Sequence, residues 1–249
     1  MTRRTMFDHD DRIKMWLCDP LDAECERAIA RLRALPDVQR LAIMPDVHPA
    51  ADACVGSVLA TSELIYPQVI GGDIGCGMAA LSFRDNPGEI GAKACRAVLQ
   101  SLTHRVHPKS RRDAAWTDYA PSIDQLREEQ LRRLALRDGL SQLGTLGRGN
   151  HFVEVQIEDH APSEFAGSAP STRLWLMVHS GSRAMGQGVA NFYARCAAQA
   201  AGVLGRGTPA GGQLFALTRG TEAGEGYLHD QEWAVRYAAA NRRALLEDA

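Results

Sequence analysis

The segment Val69-Ile-Gly-Gly-Asp-Ile-Gly-Cys-Gly-Met78 constrains this chain more than any other. Its four glycines allow the backbone to turn sharply, and inside the turn Asp73 precedes Cys76 by three residues. A hard oxygen and a soft sulfur therefore converge on one tight connection. Two further segments have the same make-up: Gly147-Arg-Gly-Asn-His-Phe-Val-Glu154 and Val178-His-Ser-Gly-Ser-Arg183. Each sets a histidine beside glycine, next to an apolar run that reads as a strand. An Asp, a Cys and two His at glycine-flanked strand ends describe most of a metal site.

The periodicity around these segments predicts a mixed, sheet-rich core flanked by helices, an α+β class. Residues 21–35 read as an amphipathic helix with Cys25, Ile29, Leu32 and Leu35 at helical spacing, stopped by Pro36. Val38–Met44 reads as a strand ending in the polar corner Pro45-Asp-Val-His48. Val55–Ala60 and Met78–Phe83 read as further strands, and Ile65–Ile70 leads into the glycine turn. Helices are expected over 89–102, 122–140, 189–204 and 230–246, strands over 152–157 and 173–178, and connectors over 158–172 and 208–226. No internal repeat and no clean domain boundary is evident.

Composition excludes little. Hydrophobic content is 45% and charged content 23%, so the 249 residues can bury a sizeable core. A net charge of −2 confines any nucleic-acid surface to a local patch. The best candidate is His104-Arg-Val-His-Pro-Lys-Ser-Arg-Arg-Asp113, with Trp116 just beyond as an aromatic that can stack on a base. Cys18, Cys25, Cys54, Cys76, Cys95 and Cys196 show no CxxC pairing, and the first ten residues lack the apolar core of a signal peptide. No apolar run reaches membrane-spanning length, and a reducing cytoplasm is the expectation.

A borderline divalent ion accepts carboxylate, thiolate and imidazole together, so Asp73, Cys76, His151 and His179 form the candidate cluster. Each taken singly also fits a plain core role, a small buried thiol or a hydrogen-bonded imidazole. In an extended segment Asn150, Phe152 and Glu154 share one face, and His151 joins the cluster only if the strand start is bent. Asp46 and His48 fit either a role beside a metal ligand or an ordinary turn after proline.

Taken together, Met44-Pro-Asp-Val-His48, Gly56-Ser-Val58, Gly72-Asp-Ile-Gly-Cys-Gly-Met78, Gly144-Thr-Leu-Gly147, Gly149-Asn-His-Phe-Val-Glu-Val155 and His179-Ser-Gly-Ser-Arg183 resemble the RtcB family of RNA ligases, in family order. Lys14-Met-Trp16 resembles the family's N-terminal segment. The resemblance implies joining of RNA ends that carry a 2′,3′-cyclic phosphate or 3′-phosphate to ends with a 5′-hydroxyl. It also implies GTP and two Mn²⁺ ions as cofactors, with a histidine that is transiently guanylylated. By the same resemblance Asp73, Cys76, His151 and His179 are metal ligands, and Cys76 bridges both ions. Asn150, His151, Phe152, Val153 and Glu154 line the GTP site, while Arg105, Lys109, Arg111 and Arg112 face RNA.

The sequence departs from the family in three places. The His-Gly-Ala-Gly-Arg block that carries the nucleophile and the Asn-x-His-His block that carries a further metal histidine are absent, and Pro49-Ala-Ala-Asp-Ala-Cys54 replaces a glycine-rich stretch. Residues 1–249 thus read as the N-terminal portion of such a domain, truncated or split, with the histidine needed for ligation supplied by a longer natural chain or by a C-terminal companion polypeptide. A metal-supported fragment that only grips RNA ends, and a metal-dependent phosphatase, are the competing expectations.

Overall fold

Helix α1 (Ala23–Arg33) begins where Asp22 accepts a hydrogen bond from the Cys25 amide at 2.7 Å, capping an otherwise orphaned N–H. Glu24 and Glu26 in its first turn and Arg31 and Arg33 in its last complement the helix dipole. Its buried face is Cys25, Ala28, Ile29 and Leu32. Ile29 and Leu32 are fully buried, each contributing about 1.5–3 kcal/mol. The computed structural model describes residues 10–50, 52–83, 91–110, 116–157, 173–202 and 213–249. Among them the chain forms two units, one of residues 1–72 and 190–228, the other of 73–189 and 229–249.

In the first unit, β1 (Ile13–Met15) runs parallel to β2 (Val38–His48), and β3 (Val55–Thr61) pairs antiparallel on its other side. Their inner face packs Ile13, Leu41 and Ile43 against α1. The expected corner at Pro45–His48 lies inside β2 rather than after it. Its Pro sits in a register irregularity between Ile43 and His48, where no ladder N–H is required. His48 Nδ1 lies 2.7 Å from the Asp46 carbonyl, so these two residues form a local contact of this unit. The segment that replaces the glycine-rich stretch feeds the core, since Ala53 and Cys54 are buried. Ile65–Ile70 is not one strand: β4 (Leu64–Ile65) pairs with β8 (Leu217–Thr218), and Pro67 then starts a single turn, α2 (Pro67–Ile70).

The second unit is built on an antiparallel sheet of β5 (Gly77–Phe83), β6 (Phe152–Ile157) and β7 (Leu174–Ser180), in the order β5-β7-β6. Leu176 and Val178 face Leu102 and Val106 of α3 (Ala92–Arg105) and its C-terminal edge, and Leu245. The single helix expected over 122–140 is broken. A 3₁₀ turn (Ile123–Gln125) leads into α4 (Glu129–Leu134), a wide π turn (Ala135–Gly139) and α5 (Leu140–Gln142). The Arg127 amide donates to the buried Asp230 carboxylate at 2.9 Å, and Tyr237 donates to the Gly139 carbonyl at 2.6 Å. Asp230 thus takes an amide that a regular helix would keep, whereas the Gly139 carbonyl also accepts from the Leu143 amide at 3.1 Å.

Two helices begin earlier than the pattern predicts. Helix α6 (Arg183–Ala200) starts directly after β7, and α7 (Glu222–Asp248) starts eight residues before Asp230. Gly188, Gly224 and Gly226 hid those turns. They are packing residues: a Cβ at Gly188 would overlap Leu134, and one at Gly226 would lie 2.8 Å from the Tyr193 hydroxyl oxygen. Thr221 accepts from the Gly224 amide and so caps α7. The expected connector at 158–172 and part of the one at 208–226 lie outside the described residues. Among those described, no helix is long and apolar enough to cross a membrane.

Candidate metal centre

The sheet order explains why three distant segments meet. Cys76 immediately precedes β5 and His151 immediately precedes β6. Both strands run antiparallel to the central β7, so their beginnings lie at its end, where His179 sits opposite Met78 on one side and Phe152 on the other. Alternation along β7 buries Leu174, Leu176, Val178 and Ser180, which turns His179 to the opposite face.

The side chains then converge. Cys76 Sγ lies 3.5 Å from His151 Nε2 and 3.3 Å from His179 Nε2, and His151 Nε2 lies 2.9 Å from Asp73 Oδ2. The three ligand atoms of Cys76, His151 and His179 are all within 4.8 Å of one another. His151 reaches them because its strand start is bent. Gly147 has φ +100°, and a Cβ there would stand 2.5 Å from His151 Nδ1 and 2.6 Å from an Arg183 guanidinium nitrogen. His151 Nδ1–H donates to the Leu146 carbonyl at 2.8 Å, which orients the ring so that Nε2 faces the cluster. The His151 side chain is 7% exposed and that of Asp73 44%, so the imidazole is held while the carboxylate opens to solvent.

Electrostatics agree with a site built for a cation. Burial of the sulfur, followed by the neighbouring Asp73 carboxylate, pushes the Cys76 thiol up to about 12, although the residue as a whole is exposed. A bound divalent ion reverses this and deprotonates the thiol. Burial, and then the adjacent His151, lower the His179 pKa, which favours the neutral ligating form. One carboxylate, one thiol and two imidazoles together fit a divalent ion of the borderline class.

The remaining sequence candidates divide. Asn150 Nδ2 lies 3.5 Å from His179 Nε2, and the Phe152 ring stacks on the His179 ring with centroids 5.5 Å apart. Glu154 shares the Phe152 face of β6 and accepts from Gln156. The Val153 side chain does not join them: the strand's alternation sends it to the core cluster with Leu176 and Val178. Arg105 and Lys109 are exposed, whereas Arg111 and Arg112 lie outside the described residues. The basic segment is nonetheless tied to the approach to His151, because Leu146 N–H donates to the His107 carbonyl and Gly147 N–H to that of Pro108. Trp116 is not a free stacking platform. It packs against Trp233 and Tyr237, at 6.2 and 5.8 Å between centroids.

The reading from sequence missed residues that support the cluster from elsewhere. Arg183, at φ +52°, donates through Nε to Thr145 Oγ1 at 3.0 Å and through Nη2 to the Lys109 carbonyl at 2.9 Å. Asn241 and Arg242 of α7 reach the same loops. The available signal was a polar residue, Asn241, at a buried position four residues after Tyr237 and four before Leu245.

Comparison with known proteins points one way. The family model described as tRNA-splicing ligase RtcB matches residues 28–129 and 110–249. The chain is 29% identical over 254 residues to the RNA-splicing ligase RtcB of Escherichia coli, covering 95% of this chain and 59% of that protein. It is 28% identical over 267 residues to the tRNA-splicing ligase RtcB of Methanococcus maripaludis, covering 92% and 55%. For the RNA-splicing ligase RtcB of Mycobacterium tuberculosis the identity is 28% over 260 residues, with 88% and 60% covered. The chain thus spans less than two thirds of the length of these relatives, and it belongs to the RtcB family.

Proposed function

We propose that this chain carries the metal-binding portion of a cytoplasmic GTP- and Mn²⁺-dependent RNA ligase. In this reading it serves RNA repair or tRNA splicing by joining 2′,3′-cyclic phosphate or 3′-phosphate ends to 5′-hydroxyl ends. The observation that supports this most is the convergence of Cys76, His151 and His179, with Asp73, at one sheet end of a chain in this family. Asp73 and His151 would hold one Mn²⁺ and His179 a second, with the Cys76 thiolate shared. When bound, the cations supply positive charge that orients a triphosphate and neutralises charge developing on the oxygens of its α-phosphate.

The chain's own groups have separate tasks. The Leu146 carbonyl orients the His151 ring by accepting from Nδ1–H, and the stacked Phe152 limits rotation of the His179 ring. Asn150 and Glu154 would meet polar groups of GTP. Arg105 and Lys109, with Arg111 and Arg112, would pair with RNA phosphates. The donor set accepts zinc and cobalt as well as manganese, and both bind such sites more tightly in the usual affinity order. The choice of manganese therefore rests on the family.

The family's nucleophilic histidine block does not occur in these 249 residues. Joining would therefore require a further polypeptide corresponding to the rest of the relatives' length, continuous with this chain or separate from it. The competing reading is a non-catalytic fragment that grips RNA ends through its metal. A ligation assay separates them. Given GTP, Mn²⁺, a 2′,3′-cyclic-phosphate RNA and a 5′-hydroxyl RNA, the chain with that further polypeptide yields joined RNA, and Cys76→Ala abolishes it. The 249-residue chain alone forms no covalent GMP adduct with labelled GTP. Failure to join in the completed protein contradicts the ligase reading, and an acid-labile adduct on the isolated chain contradicts the need for a second polypeptide.

A further inference from the structure

Three segments carry the cluster, and one stretch of helix α7 contacts all three. Asn241 is fully buried. Its Oδ1 accepts from the Thr145 amide at 3.1 Å. Its Nδ2 is shared among the Thr145 carbonyl at 3.1 Å, Ser180 Oγ at 3.0 Å and the Gly181 carbonyl at 3.3 Å. The next residue, Arg242, donates through Nη1 to the Gly75 carbonyl at 2.6 Å and to the Ser180 carbonyl at 2.9 Å. Gly75 lies between Asp73 and Cys76, Ser180 follows His179, and Thr145 precedes Leu146, whose carbonyl orients His151. Ser180 Oγ closes the network by donating to that same Leu146 carbonyl at 2.7 Å.

The chemistry of the pair suits this task. A guanidinium presents fixed, planar donors, so one group can span two carbonyls from two segments and set their separation. Its positive charge is half-buried, which costs desolvation, and it faces the Cys76 and Asp73 side of the cluster, which offsets that cost. Asn241, with donor and acceptor on one planar amide, fixes the Thr145 backbone from both its N–H and its C=O. Groups one bond removed from a metal's ligands commonly decide how well those ligands are placed.

We propose that Asn241 and Arg242 are positioning residues that set the spacing of Cys76, His151 and His179 for a divalent cation. The inference rests on the metal reading given above. It places part of the metal-site design on a helix that supplies no ligand itself, more than sixty residues from His179 along the chain.

The test uses Co²⁺ alone as the probe, on the 249-residue chain and its Arg242→Met, Arg242→Lys and Cys76→Ser variants. Far-UV circular dichroism reports folding, and the thiolate-to-Co²⁺ charge-transfer band reports the site. Arg242→Met is expected to weaken Co²⁺ binding about 10–100-fold and to change the band, whereas Arg242→Lys, with charge but no planar fork, recovers part of the affinity. A purely structural role would lower thermal stability and leave the band and the affinity of the folded protein as they are, and that result overturns the proposal. Should Arg242→Met fail to fold, the lysine variant decides: affinity reduced about tenfold supports the role, and wild-type affinity overturns it. If the unaltered chain shows no such band, or if Cys76→Ser keeps it, the metal reading itself fails and takes this inference with it.

Discussion

A methyl group at position 181 would overlap the Asp73 carboxylate, so the glycine there leaves room for that side chain rather than serving a turn. Gly181→Ala is expected to push Asp73 away from His151, because the Cβ and the carboxylate oxygens cannot occupy one place. Divalent-cation affinity should drop about tenfold while the circular dichroism stays native. An isothermal titration with Mn²⁺ or Co²⁺ checks this, and unchanged affinity would remove Asp73 from the site. The same residues show what the sequence could and could not reveal. Asp73, Cys76, His151 and His179 were legible because each is a ligating type set among glycines at a strand end. Val153 belongs to a contiguous block carried over whole, and strand alternation turns its side chain to the core, on the face opposite Phe152 and Glu154.

At the level of elements, legibility followed local signals. Helix α1 and strand β6 match expectation because a cap, a period and their flanks agree. The stretch from Ile123 to Gln142 did not, since its breaks are imposed by distant groups, Asp230 at the Arg127 amide and Tyr237 at the Gly139 carbonyl. Tyr237→Phe removes one of that carbonyl's two partners, since the Leu143 amide also donates to it at 3.1 Å and keeps it paired. It should cost about 0.5–1.5 kcal/mol in denaturant unfolding, the net worth of one hydrogen bond, and a loss near zero would mean that the π turn does not depend on the bond.

The start of β1 is held to α1 through Asp10. Its carboxylate accepts from the Arg12 side chain and amide and from Arg33, in that order of importance, which lowers its pKa from 3.8 to about 2. A depressed carboxylate pKa stabilises the fold fully above the unfolded value and is lost as pH falls through the folded one. The thermal midpoint should therefore decline between pH 3.8 and about 2 partly through this group. Asp10→Asn should flatten that decline, and an unaltered slope would exclude the ion pairs as its source.

For the whole molecule, the family resemblance was readable because several short blocks occur in one order, and no single block would have sufficed. What holds those blocks together was not readable. Asn241 and Arg242 act from a helix late in the chain, and nothing in their spacing relative to Asp73 or His179 announces the contact. The stretch at 49–54 departs from the family's glycine-rich pattern, and nothing in its spacing announces that Ala53 and Cys54 fill the core of the first unit.

For this site to act as described, sulfur and imidazole must hold a cation together. X-ray absorption of the zinc-loaded 249-residue chain measures that directly. A sulfur scatterer at about 2.3 Å and imidazole nitrogens at about 2.0–2.1 Å are predicted, with the sulfur lost in Cys76→Ser. A shell of oxygen alone, or a sulfur signal that persists in Cys76→Ser, would contradict it.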